Sequence, residues 1–192
     1  MNLIFVRHGE GEHTNNLPDS LRIEHPSLTN KGREQALALR EKLPLRENDI
    51  LIASPAVRTL QTAALWSEQV ACRRVVHPYI SSRIFPYREG ARTLPCDKML
   101  SQKSIQQLFP QFSLVEERNE ELWRNGINTI AEAAFCKAAS SFIEWCKTLE
   151  TSRVVIVSHD GTITAYRQYM MKQVLTREDF LEETGMYEIQ LW

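Results

Sequence analysis

Nowhere does the chain hold about 20 consecutive apolar residues, the length a membrane-spanning helix needs, and its leading apolar run, Met1 to Val6, is too short for a signal-peptide core. No membrane partner is expected, and the cytoplasm is the expected address. Charge of one dominant sign is also missing: 23 Lys and Arg stand against 24 Asp and Glu, a formal net charge of -1. That balance removes any general attraction to nucleic acid, so an anion site has to be local, made by a few converging arginines. Paired cysteine spacings are absent too. Cys72, Cys96, Cys136 and Cys146 form no C-x-x-C unit. Cys136 and Cys146 fall on one candidate helix, about 15 Å apart along its axis, which is beyond disulfide reach. Reduced, packed thiols are expected. There is no internal repeat, no long linker and no tract biased enough for disorder.

What is present suits one domain spanning residues 1–192, long enough to bury roughly 70% of its unfolded surface, with an ordinary 43% hydrophobic content. After the apolar run Leu3-Ile4-Phe5-Val6, the residues Leu28, Gly32, Ala36, Leu39 and Leu43 recur at helical spacing until Pro44. A strand at Ile50 to Ala53 and a helix from Pro55 to about Val70 follow, then the β-branched run Arg74-Val75-Val76-His77. From Ile80 to Gly126 the periodicity is lost. This stretch, 80–126, reads as an insertion over the strand ends, a lid, with one helix around Ser101 to Leu108. Ala131, Phe135, Ala138, Phe142 and Leu149 then mark a long amphipathic helix feeding a strand at Val154 to Val157. A helix pair over Thr162 to Phe180 comes next. Residues 185–192 alternate as a terminal edge strand, with Trp192 in it beside the other candidate packing tryptophans, Trp66 and Trp145. The predicted fold is α/β: a three-layer α/β/α sandwich, its sheet mostly parallel with one antiparallel edge strand.

Three of these strands run into polar residues. Arg7-His8-Gly9-Glu10 follows the first, Ser54-Pro55-Ala56-Val57-Arg58 the second, and Ser158-His159-Asp160-Gly161 the one ending at Val157. In open α/β sheets ligands bind outside the carboxyl ends of the strands, so Arg7, His8, Arg58 and His159 are predicted to converge on an anion, phosphate first. Ser54 reads as a helix N-cap with Pro55 as the first helical residue. His159-Asp160 is superficially like the His-Asp pair of metal-dependent phosphohydrolases, but those are all-helical and this pair ends a β-branched strand, so no metal is expected.

These segments, in this order and with Gln61-Thr62-Ala63 after Arg58, resemble the histidine phosphatase superfamily, also called phosphoglycerate-mutase-like, over nearly the whole chain. The resemblance implies that His8 is a nucleophile, that Arg7, Arg58 and His159 cradle the phosphoryl group, and that a carboxylic acid from the middle insertion protonates the leaving group. Arg88-Glu89, five residues, then Pro95-Cys96-Asp97-Lys98 looks like a mutase-like branch in which the glutamate takes that place. Glu89 is therefore the expected acid, with Asp97 and Glu10 as substitutes. Thr14 and Arg88 are expected to touch substrate. Gly11, Thr14 and Asp160 stand where the family more often has serine, asparagine and glycine.

The implied activity is hydrolysis of a small phosphorylated metabolite through a phosphohistidine, with no cofactor and a small-molecule phosphate ester as partner. The sequence sets no oligomeric state. A phosphoglycerate mutase would use the same pocket, and a catalytically weak phospho-ligand-binding module is the reading from another class. The short chain favours hydrolysis. In such a site a backbone carbonyl, that of Gly9, would fix the tautomer of His8, and His159 would serve best as a cation. His13 is a further phosphate donor. Arg83, Tyr87, Arg88, Arg92 and Lys98 are either specificity contacts or a solvated lid face, and Trp123 either touches substrate or packs. His25 and His77 precede prolines and read as surface or turn residues.

Overall fold

The computed structural model describes residues 1–117 and 119–191; Trp192 lies outside them. A mixed six-stranded sheet runs in the order β4-β3-β2-β5-β1-β6. Its strands are β1 (Asn2–Arg7), β2 (Ile50–Ala53), β3 (Arg73–Val76), β4 (Ser113–Leu114), β5 (Arg153–Ser158) and β6 (Met186–Gln190). All neighbours pair parallel except β1 with β6. The helices are α1 (Asn30–Lys42), α2 (Val57–Ser67), α3 (Gln102–Leu108), α4 (Glu120–Asn125), α5 (Glu132–Lys147) and α6 (Asp160–Met171).

Two adjacent interior strands, β1 and β5, show why three layers form. Leu3 and Phe5 of β1, with Val154 and Ile156 of β5, pack on one face with Phe135 and Phe142 of α5 and Ile163 and Tyr166 of α6. Their neighbours Ile4, Val6, Val155 and Val157 pack on the other face with Leu39 of α1 and Leu60, Ala63 and Trp66 of α2. Side chains alternate across a strand, so an unbroken apolar run feeds two cores at once, as a parallel sheet covered on both faces requires. On the edge strand β6 only every second residue is part-buried, and Tyr187 and Ile189 join the first core.

Register then brings the strand exits together. Arg7 lies opposite Ser158, Val157 opposite both Val6 and Ala53, and the amides of His8 and Ser54 donate to the carbonyls of Ser158 and Val157, each at 3.0 Å. Residues 8, 54 and 159 must therefore leave the sheet on one rim.

Several expectations need correction. The helix carrying Arg58 starts at Val57, not Pro55, and ends at Ser67. Its N-cap is Ala56, because the Ser54 hydroxyl is engaged elsewhere. The stretch 80–126 also contributes α4 and the two-residue strand β4, whose pairing with β3 extends the sheet. The expected last helix pair is one helix, α6, followed by a short 3-10 turn over Arg177–Asp179. His77 is not a surface residue: it is buried against Tyr79, Phe142 and Trp145. Among the described residues no helix is long and apolar enough to cross a membrane. The four cysteines are unpaired.

Candidate active site

A cavity of about 830 Å³ opens at the rim where β1, β2 and β5 end, walled in part by Arg7, His8, His13, Thr14, Arg58 and His159. Three imidazoles crowd it: the ring centroid of His8 lies 5.2 Å from that of His159 and 5.7 Å from that of His13.

His8 has a defined tautomer. Its Nδ1 is 2.7 Å from the Gly9 carbonyl, which can only accept, so the proton resides on Nδ1. Nε2 keeps a lone pair and accepts from Nε of Arg58 at 3.1 Å. Burial and the nearby charge of Arg58 hold the His8 pKa well below its ordinary value, so the ring is neutral at pH 7. The Gly9 amide in turn donates to Thr62 Oγ1 at 3.1 Å, which ties the strand exit to α2.

Arg58, in the first turn of α2, is fully buried, and its guanidinium binds on all sides. Nη1 donates to the Cys96 carbonyl at 2.7 Å, and Nη2 approaches Ser82 Oγ, Asp97 Oδ1 and His159 Nδ1 at 3.2, 3.1 and 3.0 Å. A guanidinium only donates, so Nδ1 of His159 accepts, and its Nε2–H donates to Ser54 Oγ at 2.8 Å. Burial, then Arg58 and His8, hold the His159 pKa well below its usual value. The expected cation is thus a neutral ring in the free site. The reasons are burial first and then an arginine already pressed against it.

Arg7 is held from behind. Its Nη1 donates to the Leu181 carbonyl at 2.6 Å, and Nη2 lies 3.2 Å from Asp160 and 3.4 Å from Glu183. Among the described residues its buried Nε has no hydrogen-bond partner, and neither has Nδ1 of His13. Buried polar groups are usually paired; both atoms belong to residues of the same cavity wall. Burial and the charges of Arg58 and Arg7 lower the His13 pKa to about 3. Thr14 lines the wall, its hydroxyl donating to the Gly11 carbonyl at 2.8 Å.

The carboxylates differ from expectation. Glu89 is exposed and is not part of the wall, although its neighbour Arg88 is. Glu10 is bound to Lys31 and Thr29 at 2.7 and 2.8 Å, which lowers its pKa, and it too is absent from the wall. The carboxylates that do line the cavity are Asp97 and Asp160. Asp97 accepts from Ser82 Oγ at 2.8 Å as well as from Arg58.

Of the other candidates, Arg83 is buried on Glu132 at 2.8 Å with its guanidinium over the Phe135 ring, and Lys98 pairs with Glu24. Trp123 packs in the second core, away from the cavity. Reading the sequence missed Ser82, Arg177 and the anchoring of Arg7 by Asp160. None follows a strand in a recognisable frame; only the fold brings them to the rim. Among the described residues no group of three or more His, Cys, Asp or Glu is arranged to hold a metal ion.

The model of the histidine phosphatase superfamily, branch 1, matches residues 3–189. No curated protein matches the sequence. Similar solved structures include the ecdysone phosphate phosphatase of Bombix mori in complex with tungstate, with a TM-score of 0.68 at 12% identity over 98% of this chain and 88% of that one. Another is a mycobacterial glucosyl-3-phosphoglycerate phosphatase in complex with VO3 (0.62, 16%, 100% and 92%). A third is a mutant phosphoserine phosphatase of Entamoeba histolytica in complex with phosphoserine (0.61, 21%, 97% and 89%). At these identities the likeness is one of fold.

Proposed function

Because the chain belongs to the histidine phosphatase superfamily, we propose that it is a metal-independent phosphomonoesterase acting on a small phosphorylated metabolite through phospho-His8. One observation carries this reading: a neutral imidazole whose unprotonated Nε2 meets Arg58 within a cavity also walled by Arg7 and His159. Two of the similar structures hold an oxyanion, VO3 and tungstate, ligands of the chemical class this reading assigns to the cavity.

Phosphate-monoester hydrolysis needs about 20 kcal/mol or more of transition-state stabilisation, and a covalent route divides that task. In the first step the Nε–H of Arg58 turns from Nε2 of His8 to a phosphoryl oxygen, the freed Nε2 lone pair attacks phosphorus, the P–O ester bond breaks, and the leaving oxygen takes a proton from a carboxylic acid. In the second, water attacks phosphorus and gives its proton to that carboxylate. The N–P bond then breaks and its electron pair returns to Nε2. Charge on the equatorial oxygens falls to Arg7, whose Nε is unpartnered, to Arg58, and to His159 once it takes a proton. Guanidinium groups match such oxygens bidentately, so no cation need be added.

We assign the acid to Asp97 rather than Glu89. It lies in the wall, bound to the same guanidinium that meets His8. Thr14 and Arg88, both in the wall, are assigned to the substrate.

The test is rapid mixing with a radiolabelled phosphate ester. We expect acid-labile, base-stable label on the protein and release of phosphate, both lost in His8→Ala. Isomerisation of 3-phosphoglycerate faster than phosphate release would make it a mutase, and binding without label or turnover a binding module.

A further inference from the structure

The cavity is far larger than a phosphoryl group requires, and its volume of about 830 Å³ falls in the range of sites that enclose whole small molecules, about 300–1,000 Å³. Its charges fall into two sets. Arg7, Arg58 and Arg83 are each matched by a carboxylate, at Asp160, Asp97 and Glu132. Arg88, Arg92 and Arg177 also line it, all three exposed, and no carboxylate lies within ion-pair distance of any of them among the described residues.

Two distant segments supply these three side chains. Arg88 and Arg92 stand on either side of a turn in which the Ala91 amide donates to the Arg88 carbonyl. Arg177 comes from the 3-10 turn after α6, its guanidinium 5.5 Å from the Phe180 ring centroid. Three unmatched guanidiniums at one mouth concentrate positive potential there. Among the described residues none of the three is hydrogen-bonded to His8 or Arg58, so they are free to act on a part of the ligand other than the transferred phosphoryl group. Apolar side chains share the wall, among them Phe85, Phe180 and the largely exposed Leu17 and Leu94.

Resting on the phosphomonoesterase reading, we infer that the substrate's alcohol carries a second anionic group, bound by Arg88, Arg92 and Arg177, on a partly apolar body. That group is a carboxylate or a second phosphate, since both offer guanidinium the same planar pair of acceptor oxygens.

Paired probes decide it. 4-Carboxyphenyl phosphate should be hydrolysed with kcat/KM about tenfold above its neutral amide analogue, the worth of one charge-assisted contact. A propanediol bisphosphate should exceed hydroxypropyl phosphate likewise, and the two arms separate carboxylate from phosphate. In the triple variant Arg88→Gln, Arg92→Gln, Arg177→Gln both preferences should shrink to within about twofold, each read as a ratio within the variant so that any general loss of turnover cancels. Equal use of charged and neutral partners by the natural chain, or a preference that survives in the variant, overturns the inference. Calorimetric binding of 4-carboxybenzyl phosphonate against its amide reads the same preference without turnover. An acid preference in binding with no ester hydrolysed would sink the phosphatase reading alone. Hydrolysis with no acid preference would sink this inference alone.

Discussion

Nε of Arg58 donates to Nε2 of His8 over 3.1 Å, so the proposed attacking nitrogen is held by the same cation that is proposed to grip the phosphoryl oxygens. The contact has an electrostatic consequence. With burial, the charge of Arg58 pushes the His8 pKa well below 6.5, so the ring stays neutral as pH falls past that value. The rate of His8 phosphorylation by an activated aryl phosphate, corrected for ionisation of the ester, should not fall between pH 7 and pH 5.5.

Replacing Arg58 by Met removes the second-largest cause of that depression. The His8 pKa should move back up, which proton NMR titration of the imidazole reads directly. Turnover should fall roughly 100- to 1,000-fold, the loss typical of one preorganised donor. An unmoved His8 titration would mean that burial alone sets its charge state.

Asp97 and Glu89 are separated by the leaving group. A poor leaving group needs its proton; an activated nitrophenol does not. Asp97→Asn should slow alkyl phosphates about 100-fold or more, within the range for general acid catalysis, and nitrophenyl phosphate far less. Glu89→Gln, on an exposed residue, should change neither by more than about twofold. The reverse pattern would return the acid to Glu89.

Much of the fold is legible in the sequence, and part of the site. Val154 to Val157 and Leu3 to Val6 announce a doubly covered sheet because their apolar runs are unbroken, and the site residues are legible because His8 and His159 sit just past a strand and Arg58 in the first turn of the helix that follows one. The insertion resists for the opposite reason. Its prolines break periodicity, and what places Ser82 and Asp97 beside Arg58 is tertiary contact with no local signature. Glu89 and Asp97 lie only eight residues apart on one loop, and the loop's path alone decides which faces inward. Ser54 misleads because an N-cap serine and a serine that accepts a hydrogen bond from a histidine look identical in sequence. The rule that residues before proline sit in turns holds for the backbone of His77, which caps a 3-10 turn, but says nothing of its ring.

That ring makes stability depend on pH. Burial lowers the His77 pKa to about 3. Between about pH 6.5 and 3 the unfolded chain binds a proton there and the folded chain does not, so stability falls as pH falls through that window. Each pH unit costs up to about 1.4 kcal/mol for one such group. His77→Asn keeps an acceptor near Nδ1, which receives the Tyr79 amide at 3.2 Å, but cannot titrate. Urea melts should find this variant less stable at pH 7 yet with a shallower decline towards pH 5. A slope equal to that of the natural chain would show that His77 carries its proton when folded.

Gly32 offers the sharpest test of how the framework holds the site. By helix propensity alone, alanine in α1 should stabilise by about 0.5–1 kcal/mol. A Cβ at this position, however, would stand 2.0 Å from the Glu10 carbonyl oxygen, and one on Gly9 would stand 2.4 Å from the carbonyl oxygen of Gly32. Two backbones touch here, so no side chain can swing aside. The Glu10 carbonyl also accepts from the Thr29 amide at 2.9 Å, and the adjoining Gly9 carbonyl holds Nδ1 of His8 at 2.7 Å. Gly32→Ala must therefore push the β1 exit outward and carry the imidazole with it. We expect a net destabilisation of about 1–3 kcal/mol, as overpacking typically costs. Phosphorylation of His8 should slow by about 10- to 100-fold, because displacements near 1 Å matter that much at a reacting centre. Glu34→Ala, on an exposed position of the same helix, should leave both quantities alone. If Gly32→Ala is instead more stable and fully active, the contact between α1 and the strand exit has slack, and the position of His8 is set by Thr62 and Arg58 from the α2 side alone.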